Sequence, residues 1–215
     1  MRPDQLPKIK REQYPDLGVW GMYALTDSGY LGEGPSPEPT EIIAYSQNDP
    51  RWKDLVYAGG TTFGKAGCFV CCVAMIAGLS YADASPPSVA EKLRNAGVFV
   101  GNLLSKPARI TQAYPKLEWG GVLHYRAKPC DIDGLGMELE QYGATIAEVK
   151  WNPSGPMPQE GNQHFVVVTE LTNDGDAVIV DPWDGQTKRL STTRYRLPGW
   201  DVARTIYGLR LVRAT

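Results

Sequence analysis

The order of periodicities along this 215-residue chain predicts an α+β fold with helices first and an antiparallel β-sheet after them. Helical patterns dominate the first hundred residues, short β-rich runs dominate the rest, and Asn173-Asp174-Gly175-Asp176 joins two of those runs as a hairpin turn. The alternating strand and helix units of a parallel sheet are not present in the pattern.

Residues 1–40 carry Pro3, Pro7, Pro15, Pro35, Pro37 and Pro39 and read as a Pro-rich N-terminal extension. A hairpin is expected inside it, with Gly18 to Leu25 and Tyr30-Leu31 either side of the turn Thr26-Asp27-Ser28-Gly29. The Pro35-Ser36-Pro37-Glu38-Pro39 run is extended and semi-rigid, which places the main domain at 41–215. Glu41 to Tyr45 reads as a short strand and Ser46 to Pro50 as a turn. An apolar helix is expected from Cys68 to about Gly78. A second, from Ser85 to Arg94, has a capping serine and prolines tolerated in its first turn. A shorter helix covers Ala108 to Tyr114 and a weak one Gly134 to Gln141. Strands are expected at 122–125, 144–149, 165–171, 177–180 and 206–212.

Composition excludes some classes of function. Lys plus Arg number 22 against 24 Asp plus Glu, so the net charge of −2 supplies no basic field for nucleic acid. No 18-residue apolar stretch and no secretory leader pattern are visible, so the expectation is a chain made in the cytoplasm, with a secreted or virion-associated destination open. Four cysteines in a chain of this length do not form a disulfide framework, and reduced thiols are expected. No cofactor is expected, and metal binding lacks support because Cys130 and two distant histidines supply no second ligand pair.

The segment Gly64-Lys65-Ala66-Gly67-Cys68 delivers a thiol to the start of a helix, where the dipole and free N–H groups favour thiolate. Cys68, Cys71, Cys72 and Met75 share one helix face, and core packing explains the last three. Pattern alone leaves Cys68 open between core and nucleophile. Cys68-Phe69-Val70-Cys71 also has the form of a redox pair, but Gly59 to Lys65 is not the buried strand such a motif follows. A thiol nucleophile needs a base and a group that orients the base. Of the two histidines, His124 reads as a strand residue, whereas His164 follows a turn-rich loop (153–162) and opens an apolar strand. Asp181, one hairpin further, is placed to bring its carboxylate beside that imidazole, though a turn aspartate before Pro182 is its plain reading.

Taken together, Tyr45-Ser46-Gln47 with Asp49-Pro50-Arg51-Trp52, Gly67-Cys68 with Val73-Ala74-Met75, Gln163 to Val168, and Val180-Asp181-Pro182 with Gly185 are similar in order and spacing to the bacteriocin-processing cysteine peptidases and their stand-alone relatives, in the papain-like superfamily. The resemblance spans roughly residues 41 to 212. It implies a papain-like fold, Cys68 as nucleophile, His164 as base, Asp181 as orienting residue and Gln47 as oxyanion donor. Many relatives have Cys-Gly-Pro where this chain has Cys68-Phe69-Val70, so Phe69 is a candidate pocket residue and the ancestral specificity is in doubt. Trp183 is a second pocket candidate, although a turn that buries an indole is the favoured reading there; Trp52 reads as a packing anchor.

The expected function is hydrolysis of a peptide or isopeptide amide, with a peptide, a protein or a cell-wall cross-link as substrate. Trp20, Tyr23 and Tyr30 of the extension offer a surface for a polymer. Two alternatives stand beside it: a papain-like module that has lost its chemistry, and an acyltransferase or transglutaminase-like enzyme using the same three residues.

Overall fold

The chain divides into two compact units, Met1–Glu38 and Pro39–Thr215. The computed structural model describes residues 42–101, 103–125, 127–155 and 162–215, all in the second unit. The expected N-terminal hairpin, the aromatic residues Trp20, Tyr23 and Tyr30, and most of the loop before His164 lie outside the described residues.

The architecture is α+β, built on a six-stranded, wholly antiparallel sheet. Its strands are β5 (Leu117–His124), β6 (Thr145–Lys150), β7 (Gln163–Leu171), β8 (Ala177–Asp181), β9 (Gln186–Arg189) and β10 (Gly208–Ala214), in the order β5-β10-β6-β7-β8-β9. Two short hairpins precede it, β1 (Val56–Ala58) with β2 (Thr61–Thr62), and β3 (Phe99–Val100) with β4 (Leu103–Leu104). The helices are α1 (Phe63–Ala66), α2 (Cys68–Ala77), α3 (Pro86–Asn95), α4 (Ile110–Ala113), α5 (Ile132–Tyr142) and α6 (Val202–Thr205).

Every residue of α2 is buried, so this helix is apolar all round and sits inside the core, not on its edge. The shared face of Cys68, Cys71, Cys72 and Met75 therefore does not separate core from cleft. On β10, Val212 belongs to the core around α2, while the next side chain, Arg213, makes a bidentate pair with Glu138 of α5 at 2.8 Å and 2.8 Å. Successive strand residues point to opposite faces, so α2 and α5 cover opposite sides of the sheet.

Several expected elements are corrected. Ile42 to Tyr45 forms no ladder: no strand lies beside it, and Ile43 is 56% exposed. Strand β5 starts five residues earlier than the alternation suggests, because Gly120 and Gly121 interrupt it; Leu211 pairs with Gly121 and Val212 with Trp119, so Gly120 is the extra residue of a bulge. Gly121 has φ +106°, a conformation that favours glycine. The polar edge strand β9 carries no hydrophobic signal, and its charged side chains are typical of a protected sheet edge. Ser85 precedes α3 in extended conformation as expected, but its hydroxyl makes no capping bond.

Candidate active site

Helix α2 begins where α1 ends, with only Gly67 between them, and the junction has room for no other residue. A Cβ on Gly67 would lie 2.6 Å from the Phe63 carbonyl oxygen and 2.9 Å from its Cα. Its φ of −77° is ordinary, so the glycine is required by close approach and not by backbone torsion. Tyr57 secures the same junction by donating its hydroxyl to the Ala66 carbonyl at 2.6 Å. Cys68 thus enters α2 as its first residue, where backbone N–H groups have no intrahelical partner.

The sheet supplies the other two groups. Val167 of β7 pairs with Val180 of β8, which makes His164 and Asp181 diagonal neighbours on adjacent strands. His164 Nε2 lies 3.0 Å from Asp181 Oδ1, with both residues buried. With Nε2 so engaged, Nδ1 is the ring nitrogen left for the Cys68 thiol, to which the imidazole is also hydrogen-bonded.

Asp181 is surrounded by donors. Oδ1 also accepts the Trp183 backbone N–H at 2.9 Å, and Oδ2 accepts the Tyr195 hydroxyl at 2.8 Å and the Lys188 ammonium at 3.2 Å. Burial pushes this carboxyl up, but His164, the Trp183 N–H and Tyr195 outweigh burial and hold it at about 2. Burial pushes His164 down, and Asp181 followed by Cys68 reverses that, raising the imidazole to about 9. For Cys68, burial favours the neutral thiol, but the His164 hydrogen bond and charge and the N–H groups of Phe165 and Phe69 win, so the thiol is lowered. Cys71, Cys72 and Cys130 are all raised by burial, Cys130 to about 12. The four thiols are free, and only Cys68 is poised as a thiolate opposite an imidazolium.

Gln47 reaches the site through lacing between two turns. Its backbone N–H donates to the Pro182 carbonyl at 2.6 Å, while Ser46 Oγ and Asn48 Nδ2 both donate to the Trp183 carbonyl, at 3.1 Å and 2.8 Å. The Gln47 amide donates one N–H to the Gly64 carbonyl at 3.0 Å, and its buried Oε1 has no partner among the described residues. Its second N–H is left for a group in the cleft that Gln47 lines with Cys68 and His164.

That cleft has a volume of about 510 Å³. Phe69 lines it and packs edge-on against Phe165, with centroids 5.3 Å apart, so it is both wall and core. Trp183 is 39% exposed on the rim and stacks on Trp151 at 4.6 Å, which corrects the reading of a buried turn indole. Trp52 is buried, with Nε1 donating to the Ser46 carbonyl at 2.8 Å, and anchors the Gln47 turn. His124 ends β5 and lines a different chamber, apart from Cys68. Trp151 and Tyr195 pack against the His164 ring, at 5.3 Å and 5.0 Å, and were not marked by the sequence, nor was Lys188. Trp151 and Tyr195 look like ordinary aromatics outside any motif, and Lys188 sits in a polar strand with no pattern of its own.

Among the described residues no group of three or more His, Cys, Asp or Glu is placed to hold a metal, and no helix is long and apolar enough to cross a membrane. No protein-family model matches the chain, and no curated protein matches it.

Proposed function

We propose that this protein is a cysteine hydrolase of the papain-like type that cleaves an amide bond in a peptide, a protein or a cell-wall peptide. The observation that carries the reading is the buried relay from Asp181 through His164 to Cys68, with Cys68 the one lowered thiol of four.

The chemistry follows from the geometry. The Cys68 thiolate attacks the carbonyl carbon, forming a C–S bond as the carbonyl electrons move to oxygen. The oxyanion is met by the free Gln47 amide N–H and by the N–H groups at the start of α2, an arrangement in which one donor is worth ~10²–10³ in rate. Imidazolium His164 gives its proton to the leaving nitrogen as the C–N bond breaks. The neutral imidazole then takes a proton from water, whose oxygen attacks the thioester and releases the acid and the thiolate. Asp181 holds the ring in the required tautomer and supports its charge throughout.

The test is alkylation of the native protein by iodoacetamide across pH, with each cysteine quantified by mass spectrometry. Labelling should concentrate on Cys68, persist well below the ordinary thiol range of about 8.5, and weaken in His164→Ala. Slow, uniform labelling of all four cysteines would refute the assignment. Product analysis with an added amine separates hydrolysis from acyl transfer.

A further inference from the structure

The cleft at Cys68 does not end at Phe165. A second chamber of about 520 Å³ adjoins it, and the two share Leu104, Gln163 and Phe165 as a common divide. The floor of this chamber is the sheet face carrying Val122, His124 and Arg210, and its opposite wall is the β3–β4 hairpin with Val100 and Leu104. Both chambers have the volume of sites that enclose small ligands. A chain lying over Cys68 can therefore continue past Phe165 into a second enclosed space.

The charge of this groove is one-sided. The chain holds 24 Asp and Glu, yet none lines either chamber. The charged or titratable side chains that do are Lys65 and the active-site pair Cys68 and His164 in the first, joined by Tyr57, and His124 and Arg210 in the second. The acidic partner of Arg210 lies beneath: Glu148 is fully buried, takes Arg210 Nη2 on Oε2 at 2.6 Å and Gln163 Nε2 on Oε1 at 2.8 Å. The guanidinium carbon sits over the Phe165 ring at 5.3 Å, on the divide itself. Glu148 thus fixes the guanidinium in place, and a ligand entering the chamber meets the cation and not its counter-ion.

We propose that the second chamber is a specificity site for a carboxylate on the substrate, read by Arg210 and His124, so that the preferred substrates extend beyond the scissile bond and carry a negative charge there. This rests on the cysteine-hydrolase reading of the site. The carboxylate is either an Asp or Glu side chain of an extended peptide or a free C-terminal carboxylate; a lysine at that position is rejected by like charge.

Protection of Cys68 from iodoacetamide measures occupancy without requiring turnover. The probes are acetylated, amidated octapeptides of alanine and phenylalanine in which one Glu, Gln or Lys is walked along the sequence, a truncated tetrapeptide set, and a matched set with a free C-terminus. At the position that reaches the chamber, the glutamate peptide should give half-protection at about tenfold lower concentration than the glutamine peptide, and the lysine peptide should be weakest. A preference that follows the free terminus instead assigns the same site to the α-carboxylate. In the double variant Glu148→Leu/Arg210→Met, which removes the buried pair together so that no charge is stranded, the glutamate preference should collapse. Val122→Trp fills the same chamber without touching the pair, and should bring long and truncated peptides to equal protection. Equal protection by Glu, Gln and Lys peptides at every position, or none by any peptide, would overturn the proposal while Cys68 still alkylates rapidly. Slow, uniform alkylation of all four cysteines would instead remove the hydrolase reading and this proposal with it.

Discussion

Replacing Asp181 by asparagine tests whether the carboxylate, and not merely the shape of the relay, keeps Cys68 ionised. The asparagine carbonyl can still accept from His164 and from the Trp183 N–H, but its NH₂ then faces the Tyr195 hydroxyl and the Lys188 ammonium, which donate to Oδ2 in the native protein. The charge is lost in either orientation. His164 is raised from 6.5 to about 9 against the effect of its own burial, with Asp181 ahead of Cys68 among the groups that raise it. That rise corresponds to roughly 3 kcal/mol in favour of imidazolium, and if Asp181 supplies half of it the imidazole falls by about one pH unit in the variant. The thiolate loses its cation over the same interval. Iodoacetamide rates at Cys68 should therefore show a midpoint about one pH unit higher, with a rate near pH 6 reduced by about tenfold. Stability should drop as well: a carboxyl held at about 2 in place of 3.8 favours the folded state by about 2 kcal/mol. That contribution is complete above about pH 4 and fades as pH falls through about 2, so the urea midpoints of wild type and variant should converge in acid. An alkylation midpoint unmoved in a folded Asp181→Asn protein would refute the electrostatic role.

Gly67→Ala should cost about 3 kcal/mol and displace the Cys68 thiol, because the added Cβ meets Phe63 backbone atoms at 2.6 Å and 2.9 Å; the checks are the thermal midpoint and a Cys68 alkylation rate lowered toward that of a free thiol. Tyr195→Phe removes a 2.8 Å bond to a buried carboxylate and should destabilise by about 2 kcal/mol near neutral pH, with the loss shrinking as Asp181 protonates, read from urea unfolding at both pH values. His164 is held above its ordinary value, so its share of stability is complete below about pH 6.5 and lost as pH rises through about 9. Wild-type urea midpoints should fall across that interval by an amount that His164→Gln does not show.

The fold was legible wherever burial imposed a period on the sequence. Strands β6, β7 and β8 and helix α2 are nearly wholly buried, and each was expected within a residue or two of its observed limits. Elements stabilised by something other than a buried face were not legible. β9 is held only by its ladder to β8, and the first half of β5 is hidden by the glycine bulge that lets it follow β10. Conversely, Ile42 to Tyr45 has the residues of a strand but no neighbour to pair with, and strand propensity without a partner produces none.

The candidate site divides along a similar line. Cys68, His164, Asp181 and Gln47 carry distinctive chemistry at element ends, and the structure brings all four to one cleft. What makes them work together is carried by residues with no local signature. Trp151 and Tyr195 pack on the imidazole, Lys188 shares the carboxylate, and Gly67 allows two helices to meet end to end. Each acts through a contact distant in sequence, and its identity has meaning only once the sheet order places β8, β9 and the loop after β6 around His164. The resulting division is physical: the reactive groups need particular functional groups and so mark the sequence, whereas the pKa values that make them reactive are set by burial and by charges gathered from several elements. A chain that kept the four reactive residues but lost the donors around Asp181 would read the same in sequence and would leave Cys68 a neutral thiol.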